Sequence, residues 1–366
     1  MPPDLKVLPS ASSTPAANLA EGERLMTICN ACRYCEGYCA VFPAMEKRLT
    51  FAPGDLRYLA NLCHNCAECY YACQYAPPHE FAVNVPQVFA QIRADSYRHY
   101  AWPAPLAKAF GRGKWIVWMI GVVILNAAID DLSGRTFYDV IPHTVMVAVF
   151  LAVSLFVLVA HLGGFANFWN DAGESLGRFF KPSALVKAMR DVLAMTNLSS
   201  GGAGCTYPDE HHSQARRIFH HFTFYGFALC FASTTVAAID HLLGFVAPHP
   251  YGSAPVILGT LGGLGLLIGP VGLYLLKRRR DPAIGDAAQD GNDRSFLLLL
   301  FLTSLTGLAL LVLRETRAMG PLLVIHLAIV LFLFLTLPYG KFVHGVYRSA
   351  ALVKSALERD AAKASH

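Results

Sequence analysis

The sequence between residues 29 and 73 contains two cysteine runs with one spacing, CNACRYCEGYC at residues 29–39 and CHNCAECYYAC at residues 63–73. Each run reads C-x2-C-x2-C-x3-C, and together they use eight of the ten cysteines in the chain. Thiolates with this spacing bind [4Fe–4S] clusters, and in two-cluster ferredoxins the last cysteine of one run binds the other cluster. The first cluster is therefore assigned to Cys29, Cys32, Cys35 and Cys73, and the second to Cys63, Cys66, Cys69 and Cys39.

Two other interpretations of the cysteines stay open. A disulfide framework needs an oxidising compartment, whereas the features described below favour the cytosol, where thiols stay reduced. Structural zinc sites usually use two cysteine pairs separated by a longer gap, so the third cysteine of each run fits a cubane better. Ala40 and Gln74 stand where a proline normally follows the bacterial run. Residues 41–62 lack strand alternation, so the ferredoxin-like domain is expected to be mostly helical.

The composition divides the chain into a polar N-terminal part and an apolar remainder. Of its 366 residues, 54% are hydrophobic and only 15% are charged, against about a quarter charged in soluble domains. The first 24 residues contain no apolar stretch, so no signal peptide is expected. The net charge of +5 is modest and lies beside apolar segments, which favours a role in membrane topology over nucleic-acid binding. The expected divisions are a flexible tail (1–24), the cluster domain (25–82), a linker at the membrane surface (83–113), a transmembrane bundle (114–346) with a cytoplasmic loop (163–217), and a cytoplasmic tail (347–366).

Six apolar segments after residue 114 are long enough, or nearly so, to cross a bilayer. Backbone polar groups find no partner in lipid, so such segments must be helices. Buried helices of a soluble bundle would show a polar face, which these segments mostly lack. We therefore predict an all-α protein, with a helical dicluster ferredoxin-like domain followed by a six-helix transmembrane bundle. The predicted spans are residues 115–129, which is short, 142–162, 218–243, 255–276, 296–313 and 322–342.

Lysine and arginine are concentrated in the connections on one side of these spans. The connection after the second span carries six and the one after the fourth carries five, whereas the opposite connections hold only Arg135, Arg314 and Arg317. Because positively charged loops stay in the cytoplasm, we expect a multi-pass protein of a bacterial cytoplasmic (inner) membrane, with the cluster domain and both termini in the cytoplasm. Within the first connection, residues 183–195 place apolar side chains on one helical face. That face is expected either to lie on the membrane or to dock on the cluster domain.

Seven histidines lie near the ends of the predicted spans. In the second and sixth spans the two histidines are eighteen residues apart, which is about five turns, or about 27 Å, along one helical face. Histidine within a membrane is costly unless it has a function, and two neutral imidazoles facing each other are the axial ligands that a b-type haem needs. The cytoplasmic layer comprises His161, His220, His221 and His344, and the outer layer comprises His143, His241 and His326.

This arrangement predicts one or two b-type haems, with one site in each leaflet. The sequence contains no C-x-x-C-H attachment motif, so a haem would be bound without a covalent link. The alternative is that histidines at the interface only cap helices or form hydrogen bonds with lipid head groups.

Several stretches outside the cysteine runs resemble the tricarballylate/citrate-utilization protein B family. With the cysteine runs, the similarity covers nearly the whole chain after residue 24, and the histidine-rich stretch of the third span is its most specific part. The stretches are CTYPDE from Cys205, RRIFHHFTFYGFALCFASTTVA from Arg216, LGTLGGLGLLIGP from Leu258, LTSLTGL from Leu302, LRET from Leu313 and TLPYGKFVH from Thr336.

The resemblance implies a membrane electron carrier with two [4Fe–4S] clusters and b haem. It places the cluster role on the eight cysteines and the haem role on His220 or His221. It also implies a separate partner, an FAD-dependent tricarballylate dehydrogenase that forms cis-aconitate. A similar module is fused to a flavin domain in an oxygen-dependent enzyme of the cobalamin pathway.

The expected function is a one-electron relay from reduced flavin on a soluble partner, through clusters and haem, to quinone. The chain would then be an oxidoreductase component that acts only with its flavoprotein. One alternative is a membrane subunit similar to the haem-bearing subunits of nitrate or heterodisulfide reductase, with another soluble partner. A second alternative is a non-redox iron or oxygen sensor on a membrane anchor, against which the paired histidines argue.

Overall fold

The structure is a computed structural model that describes residues 14–112, 136–199, 205–245 and 247–364. All regular elements within these ranges are helical, and their only strand-like pairing is an isolated bridge between Cys205 and Ser213. The prediction of an all-α fold is confirmed. The α-helices are α1 (Pro15–Cys32), α2 (Val41–Met45), α3 (Pro53–Leu62), α4 (Glu68–Tyr71), α5 (Val85–Tyr100), α6 (Ala104–Arg112), α7 (Phe137–Val140), α8 (His143–Asp171), α9 (Leu176–Phe179), α10 (Pro182–Ala194), α11 (Ala215–Leu242), α12 (Ala254–Arg278), α13 (Asp290–Leu313), α14 (Met319–Thr336) and α15 (Val343–Ala364).

Helix α1 begins at Pro15, well before the expected start of the cluster domain at residue 25. The Thr14 side chain accepts a hydrogen bond from the Ala17 N–H at 3.3 Å, and Pro15 occupies the first turn, where a missing N–H does no harm. Leu25 and Met26 are fully buried in the core. The predicted flexible tail is therefore wrong over residues 15–24, because this cap starts a helix that continues into the first cysteine run. Residues 1–13 lie outside the described ranges.

The predicted linker at residues 83–113 is mostly helical. Helix α5 starts at a cap in which the Asn84 side chain accepts a hydrogen bond from the Gln87 N–H at 3.2 Å. Its residues Phe89 and Ile92 are buried in the core with α1 and α3. Trp102, Pro103 and Pro105, which favour a linker at the membrane surface, all follow Tyr100, so the prediction is wrong for the helix that precedes them.

Helix α15 packs into the cluster domain, so the predicted cytoplasmic tail at residues 347–366 is wrong over the described part, 347–364. Ala351 and Leu357 are buried in the same core as α1 and α3. Arg48 bonds Glu358 of this helix at 2.6 Å and Asp55 at 2.6 Å. The charged residues of α15 gave it the composition of a tail, but its small apolar residues repeat on one face and dock it.

Helix α10 confirms the helix predicted at residues 183–195 and settles how it docks. Ala184 and Ala188 are buried and Leu185 packs against the core of the cluster domain. Val186 and Met189, on the other side, are 70% and 58% exposed. The helix therefore docks on the cluster domain through Ala184, Leu185 and Ala188 and leaves Val186 and Met189 uncovered.

Five of the described helices are long and apolar enough to cross a membrane. They correspond to the second to sixth predicted spans, whereas the first, residues 115–129, lies outside the described ranges. The sixth span ends early, because α14 stops at Thr336 and a turn containing Pro338 and Gly340 precedes α15. The five candidate helices are α8, α11, α12, α13 with the short 3-10 turn before it, and α14.

Glycines allow α11 and α12 to approach each other closely. A Cβ at Gly262 would lie 2.7 Å from the backbone nitrogen of Cys230 and 2.8 Å from the carbonyl oxygen of Gly226. A Cβ at Gly226 would lie 2.9 Å from the carbonyl oxygen of Gly262. The glycine-rich stretch of α12 therefore serves helix packing, as small residues do between membrane helices.

Replacing Gly262 by valine should destabilise the bundle by at least ~1–3 kcal/mol, which is the cost of overpacking a core. The cost is not relieved by a small movement, because helix backbone rather than a flexible side chain blocks the new atoms. The measurement is the thermal midpoint of the detergent-solubilised protein. Gly291→Val is the matched control, since a Cβ at Gly291 in the first turn of α13 meets nothing within 4 Å. Equal midpoints for the two variants would show that the α11–α12 contact is not tight.

Candidate iron–sulfur site and histidine layers

Sharp backbone turns bring the cysteines of each run towards a common volume. The first run starts in the last turn of α1, which Arg33 ends in the left-handed region with φ of 54°. Cys63 directly follows α3, and Asn65 and Ala67 in the second run have φ values of 56° and 69°. Non-glycine residues rarely adopt this conformation, so surrounding contacts must hold the loop in place.

Three cysteines of the first run and the last cysteine of the second run lie together. The thiols that act electrostatically on Cys29 are those of Cys35, Cys73 and Cys32. These four residues line one cavity of about 230 Å³, to which Cys69 also contributes. We call Cys29, Cys32, Cys35 and Cys73 the first group.

The second group consists of Cys39, Cys63, Cys66 and Cys69. The Cys39 thiol is influenced by those of Cys66 and Cys63. Cys69 is influenced by the other three members and by Cys35, so the two groups are neighbours. The structure thus brings together the same two sets that the spacing suggested. Their role as cluster ligands stays a prediction.

Several thiols in the two groups resist ionisation unless a cation is bound. Burial, with a smaller contribution from neighbouring thiols, raises the pKa of Cys29 and of Cys35 to about 12. Burial also raises the pKa of Cys39 and Cys69 well above the usual value. Iron would supply the positive charge that thiolates need, so cluster binding and deprotonation are coupled.

No three His, Cys, Asp or Glu side chains in the described ranges are arranged around one point to hold a single metal ion. A cubane cluster has a different requirement, because each of its four thiolates binds a separate iron atom. The four cysteines of the first group, around a cavity of about 230 Å³, fit a [4Fe–4S] cluster in this respect. The four cysteines of the second group line a cavity of only about 10 Å³, so their thiols would have to move apart to hold one.

The two groups differ in their surroundings. Cys32 of the first group is exposed, whereas Cys63 and Cys66 of the second group are buried. The Asn65 carbonyl, in the loop between these two, accepts a hydrogen bond at 2.6 Å from Arg216 of membrane helix α11. The first group therefore faces solvent and the second faces the membrane helices.

Three of the predicted histidines form a layer on the side of the bundle near the second group. The ring centroids of His220 and His344 are 6.2 Å apart, in an edge-to-face arrangement. The His161 ring packs against Phe342 at 5.7 Å. Burial and the positive charge of Arg348 keep the pKa of His344 well below its usual value, so its ring is neutral. We call His161, His220 and His344 the near layer.

The far layer is less uniform than predicted. His143 and His241 are stacked, with ring centroids 3.7 Å apart. His326 instead meets α13, where its Nδ1 lies 2.9 Å from the Thr306 hydroxyl. The predicted shared face of His326 and His344 is wrong, because the turn after α14 separates them.

His221 does not join the near layer. Its ring stacks on Tyr225 at 5.8 Å, and the Tyr225 hydroxyl donates to the Leu193 carbonyl at 2.9 Å. Consecutive helical residues point about 100° apart, so the inward direction of His220, whose Nδ1 atom is buried, turns His221 towards α10. Of the two neighbours, His220 is the one that faces the bundle.

The histidine nitrogens are suited to a metal-containing group, to which an imidazole nitrogen donates its lone pair. The Nε2 of His161 and the Nδ1 atoms of His220 and His241 are buried without a hydrogen-bond partner, although buried polar atoms normally have one. In His161 and His344 the Nδ1 lies 2.8 and 2.6 Å from the Val157 and Lys341 carbonyls. Such contacts place the proton on Nδ1 and leave Nε2 as the basic nitrogen, as in histidines that bind metal.

The arginines around the second group are not among the residues predicted from the sequence. Arg93 falls in the expected linker and Arg348 in the expected tail, yet each donates to the Cys63 carbonyl, at 2.9 and 2.8 Å. Arg216 is one of the six basic residues in the connection after the second span, on which the predicted topology rests. One signal was present in the sequence, since Arg348 follows His344 by four residues and so shares its helical face.

A short segment before α11 covers the second group. Cys205 is buried, lies against the Cys66 thiol and donates to the Leu198 carbonyl at 2.9 Å. The Thr206 hydroxyl donates to the Cys66 carbonyl at 3.3 Å. These contacts shield Cys66 from water. They also hold the CTYPDE stretch against the second cysteine run, which is far from it in the sequence.

Comparisons with known proteins agree with this arrangement. The family described as "Citrate utilization protein B" matches residues 114–365, and the "Citrate utilization protein B Fer4-like domain" matches residues 22–99. The chain is 47% identical over 353 residues to Citrate utilization protein B of Escherichia coli, covering 93% of this chain and 92% of that relative. No solved structure matches the chain. The chain therefore belongs to the citrate utilization protein B family and carries the family's Fer4-like domain.

Proposed function

We propose that this protein is a membrane electron carrier that takes electrons from a reduced flavoprotein and delivers them to quinone. The observation that carries the proposal is the order of the sites, with the first group at the solvent, the second group behind it, and the near layer at the membrane helices. The family and its Fer4-like domain support an iron–sulfur role in electron transfer. The flavoprotein, the haem and the quinone are parts of the proposal.

The residues that would hold the redox centres follow from the site. The first and second groups would each hold one [4Fe–4S] cluster. His220, with His161 or His344, would hold a b-type haem in the near layer. In the far layer the rings of His143 and His241 stack at 3.7 Å and leave no room for an iron between them, so these two would hold a haem only after they separate. When bound, these groups supply one-electron carriers between the two-electron chemistries of flavin and quinone.

Helix α15 fixes the distance between the second group and the near layer. His344 is in its first turn, and one turn later Arg348 donates to the Cys63 carbonyl at 2.8 Å. Further along, Glu358 bonds Arg48 of the cluster domain at 2.6 Å. A rigid helix with contacts at both ends holds sites more precisely than a loop does, which is what electron transfer across a fixed gap requires.

The partner would be an FAD-dependent dehydrogenase of a tricarboxylic acid such as tricarballylate. The name of the Escherichia coli relative, Citrate utilization protein B, supports an acid of this class. The solvent-facing first group is where a soluble flavoprotein would meet the chain. The charge of the loops supports a position of the cluster domain and both termini in the cytoplasm.

The test is an anaerobic reduced-minus-oxidised spectrum of the purified protein, with iron, acid-labile sulfide and haem counted on the same sample. We expect about eight cluster irons and about eight sulfides per chain, together with the sharp α band of a reduced b-type haem. Adding the dehydrogenase and tricarballylate should reduce the haem, so that this band appears. A quinone analogue should then reoxidise the haem, so that the band disappears.

Each part of the proposal has its own negative outcome. Cluster iron without a haem band would remove the histidine layers from the electron path. The haem could instead stay oxidised with the dehydrogenase and tricarballylate and yet be reduced by dithionite. That result would point to a different flavoprotein. Absence of both iron and haem after anaerobic purification would contradict the whole assignment.

A further inference from the structure

Two arginines, Arg93 buried and Arg348 half-buried, bind the same carbonyl in the ligand loop of the second group. Arg93 and Arg348 donate to the Cys63 carbonyl at 2.9 and 2.8 Å. Arg93 also donates to the Ala60 carbonyl at 3.1 Å, and Arg348 to the Asn61 carbonyl at 3.3 Å. Two full positive charges therefore lie beside one cysteine of this group.

A third arginine approaches from the membrane helices. Arg216 donates to the Asn65 carbonyl at 2.6 Å and stacks over the Tyr207 ring at 4.4 Å. Its charge acts on both His64 and His220. His64 is half-buried between Cys63 and Asn65, and all three arginines act on its ring, so the three charges surround one small volume.

These arginines have no carboxylate partner within salt-bridge distance in the described part of the chain. Arg93 is only 6% exposed. Arg348 is half-buried, and an arginine guanidinium stays protonated at neutral pH. Asp293, at the adjoining end of α13, is already bonded to Lys277 and Lys341 at 2.7 and 2.9 Å. Buried charges without a counter-ion are costly, so an anion at the second group would stabilise this arrangement.

The first group has a different electrostatic environment. Arg33, in the first run, is exposed and donates to the Asn30 carbonyl at 3.0 Å, where water and salt screen its charge. The carboxylate of Glu68 acts on Cys35. The first group thus has a screened cation and a nearby acid, whereas the second, which Glu68 of its own run also adjoins, has one buried and two half-buried arginines.

A [4Fe–4S] cluster on four thiolates has a net negative charge that grows on reduction, and net charge and hydrogen bonding set its potential. Positive charge in low-dielectric surroundings favours the reduced state. We propose that Arg93, Arg216 and Arg348 raise the reduction potential of the cluster at the second group above that of the first, so that electrons move towards the membrane helices. The inference rests on the proposed function, in that both groups hold clusters.

A purely structural role for the arginines makes a different prediction. The carbonyls of residues 60–63 are at the C-terminal end of α3, where basic side chains commonly cap helices. If capping is their only role, removing an arginine lowers thermal stability and leaves the cluster potentials unchanged.

The experiment is an anaerobic redox titration of the full-length protein followed by electron paramagnetic resonance. The second cluster is identified as the signal that Cys63→Ser removes. In the wild type this signal should have the higher potential. Arg348→Gln and Arg216→Gln should each lower the equilibrium constant for its reduction about tenfold, which is about 59 mV for a one-electron centre. Arg348→Lys should stay near the wild type, and Arg33→Gln is the matched control at the first group.

The outcomes separate the two proposals. Unchanged potentials in both glutamine variants, or a second cluster with the lower potential in the wild type, would overturn the inference while leaving the electron carrier intact. If Arg348→Gln fails to load the second cluster, Arg348→Lys distinguishes a role of charge from a structural role. Restored loading at a near-wild-type potential in Arg348→Lys supports a role of charge. Loss of loading in both variants overturns it. Wild-type protein without cluster iron would refute the proposed function itself.

Discussion

Replacing Cys39 and Cys63 together by serine should leave about four cluster irons per chain, whereas replacing Cys63 and Cys73 together should leave close to none. The reason is that the structure places Cys39 with Cys63 in the second group and Cys73 in the first. The first double variant therefore damages one group only, and the second damages both.

The measurement is iron and acid-labile sulfide per chain after anaerobic purification. The two double variants form a matched pair, because each changes two cysteines and shares Cys63→Ser. If each cluster instead used the four cysteines of one run, the results would be exchanged, with iron retained in Cys63→Ser/Cys73→Ser. Cys230→Ser is a further control, since that residue lies between α11 and α12 beside Gly262 and should not affect iron content.

Replacing His220 by leucine should lower the haem occupancy of the near layer roughly tenfold or more. His221→Leu should leave this occupancy unchanged. The Nδ1 of His220 is buried without a hydrogen-bond partner and its ring meets that of His344, while His221 stacks on Tyr225 on the side of α10. The measurement is haem content by pyridine haemochrome, together with the amplitude of the α band.

The opposite ligand is found in the same way. His161→Leu and His344→Leu each remove one remaining member of the near layer, and the variant that also loses the haem identifies the second axial ligand. His143→Leu and His241→Leu should affect only a far-layer haem. Retention of full haem content in His220→Leu, or its loss in His221→Leu, would contradict the assignment of the near layer.

Much of the candidate site could be inferred from the chain alone because its signals are local. A cysteine spacing such as 63, 66, 69 and 73 has meaning without any other part of the molecule. The apolar spans are similar, since the length and composition of α8 or α12 decide that they can cross a bilayer. For the same reason the family resemblance could be stated from the sequence and was confirmed by comparison.

The histidines show where this kind of inference fails. Equal spacing suggested that His326 and His344 share one helix face, but Pro338 and Gly340 end the helix between them. Choosing between His220 and His221 was also not possible, because two adjacent residues have the same local sequence context. Packing against α10 and α15 made that choice.

Local chemistry in the chain specified the eight thiols, the apolar helices and the presence of histidine near both membrane surfaces. Contacts between distant segments specified the rest. Arg93, Arg216 and Arg348 come from three parts of the sequence that looked like linker, loop and tail, and only folding brings their charges to one cysteine loop. Burial and long-range charge are properties of the assembled molecule, because they depend on what surrounds a residue rather than on which residues precede and follow it.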